Sequence, residues 1–114
     1  MFAQLVVFDG PRSSELVAAA DRARRDRILP LLSADPQLRG AHRGTFVLRR
    51  HDGAEVVLAL SDTVEGIQHA HQLVLTSTLL PDEDPALLPG PDRVDLYEVV
   101  YAADADFAEY ETQS

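Results

Sequence analysis

The sequence predicts an α+β domain whose elements run strand, helix, strand, strand, helix, strand. Three observations lead there. Short β-branched and aromatic runs are bounded by Gly, Pro and Asp, and two longer stretches repeat apolar residues every three or four positions. Between two apolar runs, His51-Asp52-Gly53 supplies the glycine-bearing turn of a hairpin.

Each element has a local reason. Residues 2–8, Phe-Ala-Gln-Leu-Val-Val-Phe, read as a buried strand stopped by Asp9-Gly10-Pro11. Ser13 or Ser14 then caps a helix running to about Leu32, with Glu15 suiting the dipole of its first turn. Its apolar positions are Leu16, Ala20, Ala23, Ile28, Leu31 and Leu32, and Pro30 is expected to kink it or end it early. After Asp35-Pro36, residues 41–50 and 54–60 form the hairpin strands. Asp62, three residues before Glu65, opens a second helix through about Thr78. Residues 81–92 hold four of the seven prolines and read as a loop, with one capped turn at Asp84-Pro85-Ala86-Leu87-Leu88. A loop of this length suits a lid or arm, so Leu87 and Leu88 are expected to dock on an apolar surface, either over a pocket mouth or on the other subunit. The last strand covers residues 94–101. One domain is thus expected over residues 1–103, followed by an acidic tail over 104–114.

Composition narrows the functions. The chain has no Cys, which excludes disulfides, thiolate metal sites and a cysteine nucleophile. The apolar N-terminus has no basic leader and is too short to span a bilayer, so a cytoplasmic protein with no membrane attachment is expected. A net charge of −9 argues against nucleic acid as a partner. Nine of the ten arginines fall in residues 1–50 against five acids, whereas residues 51–114 hold Arg93 against fourteen acids. This asymmetry predicts that the two halves fold against each other or against a second copy.

Right-handed crossovers turn this order into a four-stranded antiparallel sheet with both helices on one face. Strands one, three and four carry apolar residues at both parities, so the other face is expected to be apolar and covered by a second copy of the chain. The run of residues 2–7, the segment Asp35-Pro36-Gln37-Leu38-Arg39-Gly40 and the run Val94-Asp95-Leu96-Tyr97-Glu98-Val99-Val100 carry a resemblance over nearly the whole chain. The pattern resembles the dimeric α/β-barrel superfamily, in which two ferredoxin-like subunits join their sheets, and within it the antibiotic-biosynthesis-monooxygenase-like proteins. The resemblance implies a homodimer, no cofactor, and either a cofactor-independent oxygenase or a proton-transfer isomerase acting on a small hydrophobic or aromatic metabolite. A non-catalytic binder of such a molecule and a purely structural homodimer are the competing readings.

Of the residues the monooxygenase-like and haem-degrading branches use, Asn and Trp do not occur, and the carry-over reaches a helix-two histidine, His69 or His71. His71 shares a helical stripe with Val64, Ile67 and Val74, which aims it at the sheet. Histidine gains and loses a proton near neutral pH, so His71 is a candidate acid or base. A histidine at the core edge, satisfied by backbone or water, is the alternative. Glu98 shares strand parity with Val94, Leu96 and Val100 and is the second acid-base candidate, or else a salt-bridge partner of an arginine such as Arg43. Gln4, the polar member of strand one, is expected to line a substrate pocket, and Tyr97 to stack on a substrate or pack in the dimer interface. Arg22, Arg24, Arg25 and Arg27 read as a solvated helix face. No metal site is expected. His69 and His71 lie roughly 200° apart around a helix, and Asp82-Glu83-Asp84 lacks the spacing of a calcium loop.

Overall fold

The computed structural model describes residues 1–103, so the expected acidic tail lies outside the described residues. Four strands form one antiparallel sheet in the order β2-β3-β1-β4: β1 Phe2–Phe8, β2 His42–Arg49, β3 Glu55–Ser61 and β4 Arg93–Glu98. With helices on both crossovers, this order is compatible with a ferredoxin-like fold. The hairpin forms where turn chemistry places it. Arg50 and Ala54 close it, and Gly53 sits at φ +91°, with the Arg12 carbonyl oxygen only 2.6 Å from where a Cβ would stand. β4 stops at Glu98, short of the expected residue 101, because its partner β1 begins at Phe2 and Val99 N–H has only the Met1 carbonyl left to bond.

The first crossover departs from the sequence expectation. Helix α1, Ser14–Ala23, is capped by Ser13, whose Oγ accepts from Leu16 N–H. It does not end at Pro30, but passes through a π turn, Arg24–Ile28, into α2, Leu29–Ala34. The wide turn, in which Leu29 N–H donates to the Arg24 carbonyl, accommodates the chain just before a proline that has no N–H to give. A further short helix, α3 Pro36–Arg39, forms because Asp35 accepts from Gln37 N–H and Pro36 is preset for a first helical position. In α4, Val64–Thr76, Thr63 is the cap in place of the expected Asp62: its Oγ1 accepts from Gly66 N–H at 3.0 Å, while Asp62 pairs with Arg43.

Register divides the sheet into two faces. Gln4 lies opposite Ala59 and Leu96, and Val6 opposite Val57 and Val94. This face is covered by helices, since its Glu55 and Arg49 meet Arg24 and Asp21 of the first helical run. The other face carries Ala3, Leu5, Val7, Phe46, Leu58 and Leu60, as the alternation of a strand requires. The core is shallow: Ala3, Val7, Ala23, Leu38, Leu60 and Ile67 are its buried apolar members, and among the described residues no large apolar side chain is fully buried. α4 packs mainly on β3 and β1, and β4 lies beyond it, so Val94 and Leu96 remain exposed on the helix side.

The charge asymmetry resolves within one chain. Arg22 pairs with Asp82, Arg27 with Glu83, Arg43 with Asp62, and Arg12, Arg24 and Arg49 with Glu55. The pairs of Arg22 and Arg27 strap the proline-rich loop to the first helical run, and the 3₁₀ turn Pro85–Leu87 packs against α1 with Leu87 and Leu88 half-buried. Among the described residues, no helix is long and apolar enough to cross a membrane.

Candidate functional site

A cavity of about 310 Å³ opens between the helices and the end of the sheet where β1 begins and β3 finishes. The sheet supplies Gln4, His42, Thr45, Ala59 and Ser61, α2 supplies Leu29, Leu32 and Ser33, α3 supplies Leu38 and Arg39, and α4 supplies Gly66, Ile67 and Ala70. Three small residues, Ala59, Gly66 and Ala70, line it where larger side chains would fill it. Gly66 is also required for packing, since a Cβ there would stand 2.6 Å from Ser61 Oγ and 3.1 Å from Thr63 Oγ1.

The polar groups converge from different elements. Thr45 Oγ1 and His42 Nε2 are 3.2 Å apart, bonded across the bulge that separates His42 from Gly44. Ser61 Oγ accepts from Thr63 N–H at 3.3 Å. Behind the cavity, Asp35 fastens α3 to α4 by accepting from His69 Nε2 at 2.9 Å, and that bond holds the Asp35 carboxyl below its ordinary range.

The structure separates the residues the sequence singles out. Gln4 lines the cavity. His71 is half-buried on α4, one turn beyond Ile67, and does not line it. Glu98 does share the face of Gln4, yet it stands exposed at the end of β4, opposite Phe2. It is not the partner of Arg43, which takes Asp62. Tyr97 pairs with Ala3 on the opposite face and is 54% exposed. The lining residues that sequence reasoning missed are Arg39, His42 and Thr45. The one available signal was the i, i+3 spacing of His42 and Thr45 at the start of a strand, and a bulge was needed to bring them together.

A second constellation lies at the opposite end of the sheet. The side chain of Glu55 is fully buried and receives Arg24 at 2.9 Å and Arg49 at 2.6 and 2.8 Å. Arg12 Nη2 lies 3.1 Å away without hydrogen-bond alignment. Asp21 bridges Arg24 and Arg49 from the helix; burial pushes its carboxyl up, but Arg49 and then Arg24 outweigh this and hold it below its ordinary range. Arg24 is thus part of an interior network and not of a solvated helix face, because the helix rolls that position toward β3. The hollow beside this network, about 250 Å³, is smaller and more open than the first cavity. Every acid in the network is engaged by arginine, so its role is to join helix, hairpin and sheet.

Among the described residues, no group of three or more His, Asp or Glu side chains is placed to hold a metal ion. Compared with known proteins, the chain matches no family model. No curated protein matches it either.

Proposed function

We propose that this chain is a cytoplasmic, homodimeric domain that binds a small, largely apolar metabolite in the cavity between the sheet and α2–α4. The cavity carries the reading: about 310 Å³, walled by Leu29, Leu32, Leu38, Ile67 and alanines, with a few convergent polar groups. That is the size and chemistry of a small-ligand site. NMR titration of the full chain with a set of small aryl and alkyl compounds tests it. Saturable shifts at Gln4, Ala59, Ile67 and Ala70 are expected, and Ala70→Leu should abolish them. Their absence in the unmodified protein would overturn the reading.

One observation favours proton transfer on the bound molecule, as in the isomerase reading. His42 lies in the cavity wall, bonded to Thr45 and facing the same space as Gln4. His42 lines the cavity and His71 does not. With a substrate in hand, His42→Ala should lower turnover about a hundredfold or more while His71→Ala leaves it within a few-fold. Equal effects of the two changes would remove the assignment.

The homodimer is supported by the shallow core and by where the apolar exposure falls. Val94, Leu96 and Tyr97 of edge strand β4 and the following Val100 and Tyr101 are all exposed. An edge with apolar side chains on both faces is a site for a second chain. Joining two sheets there builds an α/β barrel. Sedimentation at micromolar concentration should give a dimer, and Leu96→Asp with Tyr97→Asp should give a folded monomer. A clean 12.5 kDa species from the unmodified chain would exclude it.

A further inference from the structure

Within the cavity proposed above as a ligand site, the distribution of charge identifies the ligand class. The chain has nineteen acidic residues, yet none of those among the described residues lines the cavity. Of the acids beside it along the chain, Asp62 is taken by Arg43 and Asp35 by His69, while Glu65, next to Gly66, is exposed and does not line it. Eight of the ten arginines are paired with carboxylates among the described residues; the exceptions are Arg39 and Arg50. Arg39 lines the cavity, and Arg50 does not. In a chain of net charge −9, an apolar cavity whose wall, among the described residues, holds no acid and one guanidinium that no carboxylate engages complements an anion.

We propose that the cavity takes a small apolar monocarboxylic acid, its carboxylate paired with Arg39 and its hydrocarbon part lying among Leu29, Leu32, Leu38 and Ile67. One planar guanidinium matches one carboxylate through two parallel hydrogen bonds. A phosphate brings up to two negative charges to a site with a single fixed cation, inside a protein whose overall field repels anions. The apolar walls set the size and the single arginine sets the charge.

This inference rests on the cavity being a ligand site, and calorimetric titration separates the two claims. The probes are octanoate and phenylacetate, their uncharged counterparts octanamide and phenylacetamide, and phenyl phosphate. The acids should bind at least about tenfold more tightly than the amides, the scale of one hydrogen bond between charged partners. Arg39→Gln should erase that preference and leave amide binding unchanged, whereas Arg50→Gln, which alters net charge equally from outside the cavity, should preserve it. Equal binding of acids and amides would overturn the carboxylate assignment and leave the cavity reading standing. The carboxylate assignment also falls if the preference survives Arg39→Gln, disappears in Arg50→Gln, or gives way to tighter binding of phenyl phosphate. If none of the probes binds, both readings fall.

Discussion

Replacing Glu55 with Gln removes the negative charge on which three arginines converge. In the native chain the Glu55 side chain is fully buried, with Arg24 at 2.9 Å, Arg49 at 2.6 Å and Arg12 at 3.1 Å. After the change, Asp21 still holds Arg24 at 3.0 Å and Arg49 at 2.5 Å. Arg12 is the cation left without a counter-charge. Its side chain is only 9% exposed, and it keeps a hydrogen bond to the Gly53 carbonyl at 2.7 Å and a position over the Phe8 ring. Removing one member of a buried ion pair costs about 3–5 kcal/mol. Because Asp21 retains two of the three arginines, the lower end, about 3 kcal/mol, applies here. A domain of this size has about 5–15 kcal/mol of stability in total and loses about 4–8 °C of melting temperature per kcal/mol, so Tm should fall by about 12–24 °C. Urea unfolding followed by circular dichroism measures the loss, at one fixed protein concentration because association adds to apparent stability. Adding Arg12→Met removes the stranded cation and should recover part of the loss. A loss below about 1 kcal/mol would show that the network behaves like exposed surface pairs, and no recovery in the double variant would refute the account of Arg12.

Gly53→Ala should destabilise the hairpin by about 1–3 kcal/mol in the same urea assay, because the left-handed backbone at φ +91° and the nearby Arg12 carbonyl both oppose a Cβ. Thr63→Ala removes the α4 cap and should cost about 1 kcal/mol. The Asp21 carboxyl lies below its ordinary value of 3.8 in the folded chain, so its contribution is complete above that value and is lost as pH falls through the lower, folded-state value. Acid titration should therefore show stability falling below about pH 4, with a shallower fall in Asp21→Asn; an identical slope in the two proteins would exclude Asp21 as a contributor.

The local elements were legible because their causes are local. Ser13 before Glu15, Asp84 before Pro85, and His51-Asp52-Gly53 each specify a cap or turn within a few residues, and the structure places a cap or turn at all three. The misplaced boundaries follow the same logic in reverse. Pro30 does not end the first helical run because a π turn upstream absorbs it, and Asp62 is not a cap because Arg43, nineteen residues away, claims its carboxylate. The site was less legible. Strands with apolar residues at both parities do not say which face meets a helix. Gln4 and Tyr97, on neighbouring rungs of the β1–β4 ladder, therefore end on opposite faces.

Sequence alone determined the α+β class, the order of the elements, the hairpin and the charge asymmetry between a basic first half and an acidic second half, since periodicity, turn chemistry and net charge are properties of short windows or of simple counts. Tertiary structure decided the rest. Which side of each strand is covered depends on where α1 to α4 come to lie. The convergence of Arg12, Arg24 and Arg49 on Glu55 joins residues as much as 43 positions apart. The cavity walled by residues from β1, β2, β3 and three helices exists only because packing brings them together. Ion pairs and cavities are made by side chains that meet across the fold, and the distance between two residues in space is not written in their separation along the chain.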